Sequence, residues 1–227
     1  MKNNLSGACF IKRPIFLEQL ISTLFVSDLD GTLLDSNALL SDKSARILSE
    51  LSERGLLFTY ATARSFITSS KVTKNLNVSV PAIVYNGAFV VDSRTGDILI
   101  RNTFGETAKS ILSDLLSLGV FPIVYSIIDG CEKFSYVEGK ETEGLKRFLF
   151  TRKGDVRERA VLNSEALFEG DIFYFTCIDD NPVLPKLFDK YKSSQNSVLH
   201  KDINTQDTWL EIMPKNSSKA NASLLLK

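Results

Sequence analysis

Two aspartates separated by one residue, Asp28 and Asp30, stand directly after the short apolar run 23–27 and are followed by Gly31 and Thr32. Side chains at i and i+2 of an extended segment address the same side of the chain, so both carboxylates can reach one centre. One carboxylate can attack phosphorus while the other handles the leaving group's proton, and the acyl phosphate so formed is later cleaved by water. Gly31 and Thr32 extend the loop with backbone N–H groups suited to phosphate oxygens. A D-x-D-G string also suits a turn or half of a calcium loop. The calcium reading lacks its downstream bidentate acid, because Asn37 and Leu39 occupy the relevant spacings.

The elements that must position these residues follow from periodicity. Residues 23–27 are short, apolar and partly β-branched, which predicts a buried strand emptying into the acidic loop. Ala45, Ile47, Leu48 and Leu51 recur at helical spacing within 43–54, with Ser41 as cap and Gly55 as stop. A strand over 56–61 ends in Thr62-Ala63-Arg64, a helix spans 65–75, and a third strand over 81–85 ends at Asn86-Gly87. Strand, helix, strand, helix, strand with short connections predicts a doubly wound parallel α/β sheet, which takes its ligands at the carboxyl ends of its strands. Beyond Gly87 the hairpin signal Ser93-Arg94-Thr95-Gly96 lies between strands at 89–92 and 97–101 and marks the start of a different domain. Helices at 106–118, 142–150 and 183–192 and strands at 121–128, 132–137, 172–178, 197–201 and 208–213 follow, whereas 151–169 shows no clear pattern.

The chain has 227 residues, 44% hydrophobic and 24% charged, with 27 basic and 27 acidic side chains and zero net charge. That balance excludes an intrinsically disordered chain and lacks the footprint of a dedicated nucleic-acid or anionic-membrane binder. Cys9, Cys131 and Cys177 show no metal-ligand spacing and are read as thiols without chemistry; the single histidine, His200, is read as a surface or cap residue. No run of eighteen apolar residues and no signal-peptide pattern is found, so the expected location is cytoplasmic.

Phe25-Val26-Ser27-Asp28-Leu29-Asp30-Gly31-Thr32-Leu33-Leu34 resembles the first signature of the haloacid dehalogenase superfamily. Tyr60-Ala61-Thr62-Ala63-Arg64 resembles the second signature in its Cof-type branch, with Ala63 where glycine is usual, and Asn86-Gly87-Ala88 resembles that branch's third-strand loop. Glu211-Ile212-Met213-Pro214, followed by Ser217-Ser218-Lys219, resembles the segment that carries the third-signature lysine. The resemblance implies a three-layer, doubly wound Rossmann-like core with a large inserted α/β cap. The chain would divide into an N-terminal arm 1–22, core 23–87, cap 88–206 and core 207–227.

By the same resemblance Asp28 is the nucleophile and a magnesium ligand, and Asp30 is the general acid and base, lending its carbonyl to the metal. Thr62 binds the phosphoryl group, Lys219 pairs with Asp28, and Gly31, Thr32, Arg64, Asn86 and Gly87 bind substrate. The fourth signature, an acidic strand end that completes the metal site, does not follow Lys219; Gly96-Asp97, Gly154-Asp155 and Gly170-Asp171 precede it and lack the paired acid. The expectation is therefore a C-terminally shortened member whose first strand, 24–27, is an exposed edge open to self-association unless the apolar segment 14–21 covers it. The expected activity is Mg2+-dependent hydrolysis of a small phosphorylated metabolite, a sugar-phosphate-like monoester, through an aspartyl phosphate. The alternatives are a catalytically impaired phospholigand-binding or regulatory remnant, and a phosphomutase or phosphotransferase. The phenylalanines within 147–150 and 172–176 are expected to be cap core.

Overall fold

A computed structural model of the protein describes residues 23–202 and 205–226. The expected N-terminal arm, with Cys9 and the segment 14–21, lies outside the described residues.

Strand β1 (Leu24–Ser27) runs parallel to β2 (Leu57–Tyr60), in register from Leu24 opposite Leu57 to Ser27 opposite Tyr60. Just past β2, Ala61 makes a parallel bridge to Ile83 of β3 (Ala82–Val84). The two crossovers carry α1 (Asp42–Glu53) and α2 (Phe66–Thr73). Both helices start on a serine hydroxyl: Ser41 accepts from the Ser44 N–H at 3.1 Å, and Ser65 from the Thr68 N–H at 3.2 Å. This is the α/β crossover pattern expected of 23–87, with all three strands delivering their carboxyl ends to one side.

Sheet membership runs across the expected domain divisions. Strand β4 (Phe89–Val91) pairs antiparallel with β3, and β5 (Ile98–Arg101) pairs antiparallel with β4, so the hairpin extends the core sheet and the expected boundary at 88 cuts through it. The reversal is made by Tyr85–Gly87, where Tyr85, Asn86 and Gly87 all have positive φ (51°, 52° and 93°). After α3 (Thr107–Ser117), six strands among the described residues form the cap sheet in the order β10-β11-β9-β6-β7-β8. They are β6 (Ile123–Ile128), β7 (Cys131–Val137), β8 (Glu158–Val161), β9 (Asp171–Ile178), β10 (Asn196–Lys201) and β11 (Thr208–Met213). Strand β11, expected in the core, pairs with β9 and β10, and the chain returns to the core only with α6 (Lys219–Leu224). Periodicity reveals which faces of a strand are apolar; it does not reveal the strand's neighbour.

The cap sheet is covered on one face by α3 and α5 (Val183–Tyr191), where Leu112, Leu115, Leu184 and Leu187 pack on Val124, Phe175, Leu210 and Ile212. Its other face carries α4 (Glu143–Phe150) and meets the core. There Tyr60, Val84, Tyr85 and Phe89 of the core join Tyr125, Phe134, Phe173 and Tyr174 of the cap in one buried cluster. A bulge helps build it: Tyr125 is opposite Tyr174 and Ser126 opposite Ile172, which leaves Phe173 as the extra residue, and both Phe173 and Tyr174 belong to the shared cluster. Among the described residues β1 pairs only with β2, and Phe25 and Val26 are exposed. No helix among the described residues is long and apolar enough to cross a membrane.

Candidate active site

The acidic loop is pinned at both ends. Leu29 and Leu34 are buried, and the Leu34 N–H closes the turn on the Leu29 carbonyl at 2.9 Å, so Asp30, Gly31 and Thr32 between them are exposed at the mouth of the sheet. Gly31 supplies the positive φ (70°) that the turn needs. Asp28, immediately after β1, accepts the Leu29 N–H on Oδ1 at 2.7 Å, which orients its carboxylate outward.

The loops after β2 and β3 are laced together. The Asn86 N–H donates to the Thr62 carbonyl at 2.9 Å and the Tyr85 N–H to the Arg64 carbonyl at 3.0 Å. Thr62 is buried, and its hydroxyl oxygen accepts the Arg64 N–H at 3.1 Å. Arg64 is thereby aimed across the mouth, where its Nε and Nη2 clasp both oxygens of Asp30 at 2.8 and 2.5 Å.

Gly87 serves a different need. A Cβ there would lie 2.3 Å from the Ser218 carbonyl oxygen, so only glycine lets the segment before α6 come this close. Ser218 caps α6 by accepting the Asn221 N–H at 3.0 Å. Lys219 then reaches Asp28, Nζ to Oδ2, at 2.8 Å, across 191 residues of sequence. Four of the expected residues, Asp28, Asp30, Arg64 and Lys219, are thus brought together as two ion pairs at the sheet mouth. Thr62 and Gly87 lie in the frame that holds them. Asn86 faces the cap, its Nδ2 donating to the Tyr174 hydroxyl at 2.9 Å, which in turn donates to Glu211 Oε1 at 2.7 Å.

A pocket of about 140 Å³ opens beside Arg64 between core and cap, with Tyr125, Phe148, Arg152, Trp209 and Glu211 in its cap wall. Burial pushes the Glu211 carboxyl above its ordinary value, against the Tyr174 hydrogen bond and the charges of His200 and Lys219. Burial likewise raises the Tyr125 phenol to about 12. Sequence reasoning missed this wall. In β11, Trp209 and Met213 pack toward the core while Leu210 and Ile212 pack toward the cap helices, so an acid at position 211 falls on the core-facing side of an apolar strand. That is a readable signal. Arg152 lies in the stretch without a pattern. Phe173 and Phe175 are buried core as expected, whereas Phe148 also lines the pocket and Phe150 is exposed. His200, in cap strand β10, stacks on Trp209 with ring centroids 6.1 Å apart. Cys131 is exposed, and Cys177 is buried with its thiol pushed up to about 12.

Magnesium is the metal implied by the resemblance. Among the described residues no group of three His, Cys, Asp or Glu side chains is placed to hold a metal. Magnesium is nonetheless commonly bound by one or two carboxylates, with water and phosphate oxygens completing its octahedron. Each Asp28 oxygen accepts one hydrogen bond and retains a second lone pair. The lone pairs left on Asp28 therefore suit a loosely held ion rather than a protein cage.

Comparison with known proteins gives the family and the fold. The family model for haloacid dehalogenase-like hydrolases matches residues 25–227. The 5-amino-6-(5-phospho-D-ribitylamino)uracil phosphatase YwtE of Bacillus subtilis is 26% identical over 217 residues, covering 86% of this chain and 72% of its own. A Thermotoga maritima protein of known crystal structure is 28% identical with a TM-score of 0.67, covering 89% of this chain and 73% of its own. A haloacid dehalogenase-like hydrolase from B. subtilis shares the fold at 19% identity, with a TM-score of 0.68 and coverages of 89% and 77%. With the crossover core and a family model that matches residues 25–227, the chain belongs to the haloacid dehalogenase-like hydrolases, of the Cof type.

Proposed function

We propose that the protein hydrolyses a small phosphorylated metabolite, a phosphomonoester of sugar-phosphate size, through an aspartyl phosphate on Asp28. The observation that carries this reading is the contact of Lys219 Nζ with Asp28 Oδ2 at 2.8 Å. A fixed cation beside the carboxylate offsets charge on the phosphoryl oxygens as an anionic substrate approaches. Asp30, released by Arg64, takes a proton from solvent; Asp28 attacks phosphorus, the bond from phosphorus to the substrate oxygen breaks, and Asp30 gives that proton to the departing alkoxide. Asp30, now a carboxylate, then takes a proton from the water that attacks the acyl phosphate. Inorganic phosphate leaves, Asp30 returns a proton to solvent, and both side chains are back in their starting states. Thr62 donates its hydroxyl proton to a phosphoryl oxygen, and Gly31 and Thr32 offer backbone N–H groups. Bound magnesium, held by Asp28 and the Asp30 carbonyl, would supply further neutralisation of phosphoryl charge. The B. subtilis relative named for a phosphoribityl substrate supports a small phosphorylated metabolite as the substrate class.

One observation favours a second reading, phospholigand binding without turnover: both Asp30 oxygens are held in the Arg64 fork, away from proton transfer. Turnover on the first reading requires Arg64 to leave Asp30, a move that an incoming phosphate can drive by offering the guanidinium an alternative anion. The experiment is phosphate release from p-nitrophenyl phosphate with magnesium. Asp28→Asn is expected to fall to the buffer background with an unchanged melting profile, and Lys219→Ala by about 10²–10³-fold. An Asp28→Asn variant as active as the parent overturns the mechanism. Phosphate binding without release by the parent selects the second reading.

A further inference from the structure

We propose that Arg152 is a specificity-determining residue that selects phosphomonoesters carrying a second anionic group, such as a carboxylate, at the end remote from the transferred phosphoryl. The inference rests on the phosphatase reading above and deepens it.

Arg152 follows α4 in the cap and lines the cleft together with Arg64 of the core. Its guanidinium lies over the Phe148 ring, 3.8 Å from the centroid, and donates from Nη1 to the neighbouring Thr151 hydroxyl at 2.8 Å. Among the described residues no carboxylate lies within 4.0 Å of it. The contrast with Arg157 nearby is informative. Arg157 is satisfied by Asp155, Glu132 and the Tyr85 hydroxyl, as expected of a structural cation in a cap. Arg152 is instead sheltered by burial and disfavoured by the charge of Arg157, and both effects lower its pKa. A guanidinium cannot shed that cost by losing its proton, so an anion in the cleft would relieve it.

Trp209 lines the same pocket with its ring. The Trp209 indole N–H is shielded from solvent and has no acceptor. The one acid of this wall, Glu211, is bound to the Tyr174 hydroxyl and pushed toward its neutral form by burial, which limits its opposition to an incoming anion. A substrate with its phosphoryl group at Asp28 would extend past Arg64 toward Arg152, which lines the same cleft. An anionic group there gains a charge-assisted fork from Arg152, whereas a hydroxymethyl group does not.

The test compares 3-phosphoglycerate with glycerol 3-phosphate, which differ by a carboxylate in place of a hydroxymethyl group. Both phosphate release (kcat and KM) and the ligand-induced rise in melting temperature of the full chain are measured, with inorganic phosphate as a reference ligand. The parent is expected to favour 3-phosphoglycerate, mainly through a lower KM. In Arg152→Gln the ratio of preference should fall by about tenfold or more, the scale of a hydrogen bond to a charged group. Arg152→Lys should restore it only in part, because an ammonium cannot form the fork. Equal handling of the two ligands by the parent, or a ratio unchanged in Arg152→Gln, overturns the proposal while leaving phosphatase chemistry intact. Failure of all three ligands to bind overturns the phosphoryl site and this inference with it.

Discussion

At Asp28 two short contacts, from the Leu29 N–H and from Lys219, define where an electrophile must arrive. Asp28 and Asp30 were legible as candidate groups from their spacing alone, but their partners were not. Nothing in local pattern links position 28 to position 219, and that pair was reached only through the resemblance to a phosphatase signature. The cap wall was less legible still, because Arg152 sits in a turn-rich stretch and Glu211 in a segment noted for the lysine that follows it. Glu211 nevertheless makes a prediction of its own. Its folded-state pKa is raised, chiefly by burial, from an ordinary value of 4.5. As pH rises above about 4.5 the unfolded chain gives up this proton first, so the folded state loses stability until its own Glu211 has ionised. Glu211→Gln removes that loss while keeping an oxygen to accept from Tyr174. The variant is expected to melt above the parent at neutral pH and to match it below pH 4.5. Melting curves across this range check the sign, and a constant offset at every pH contradicts it.

Among the elements, helices with a hydroxyl cap and an apolar stripe were the most legible. Ser41, Ser65 and Thr142 each accept the N–H three residues on, which is a local arrangement that a local pattern can reveal. Strand β8 escaped because it is short and marginal: among the described residues it pairs only with β7, and its Glu158 and Arg159 side chains are bound to Tyr136 and Glu169. The connection between β3 and β4 shows what an element can impose on a site. Gly87 has φ 93° and touches the backbone of Ser218, whereas Gly31 has φ 70° and open space within 4 Å of where a Cβ would stand. Gly31→Ala should therefore cost only the backbone strain, about 1 kcal/mol, whereas Gly87→Ala should add a backbone overlap for roughly 2–5 kcal/mol in all. Because the Ser218 backbone leads into Lys219, the residual folded Gly87→Ala protein should also release phosphate more slowly. Urea titration together with rates corrected for folded fraction tests both parts. Equal costs for the two variants would show that the approach of α6 is not limiting.

Across the whole molecule, core and cap are joined by more than their two connecting segments. Tyr85, on the core loop beside Asn86, sits edge-on to Phe173 with centroids 5.0 Å apart and lies within 5.8 Å of Phe89, Tyr125 and Tyr174. Its hydroxyl donates to Glu132 of β7 and accepts from Arg157 Nη1 at 3.0 Å, so one residue joins the apolar seal to the polar network of the cap. Burial, followed by the neighbouring Glu132, raises its phenol well above the usual value, so the hydroxyl remains a donor throughout the working pH range. Tyr85→Phe keeps the ring and leaves Glu132 paired with Arg157; it should cost about 1–2 kcal/mol and preserve a single cooperative unfolding transition. Tyr85→Ala removes the ring from a shared cluster, at about 3–5 kcal/mol, and takes away its ring contacts with Tyr125, Phe173 and Tyr174 of the cap. Calorimetry should then resolve two transitions, with amides of β6 and β7 exchanging faster than those of β2 and β3. A single transition in Tyr85→Ala, merely shifted to lower temperature, would instead place the coupling in the two chain crossings between core and cap.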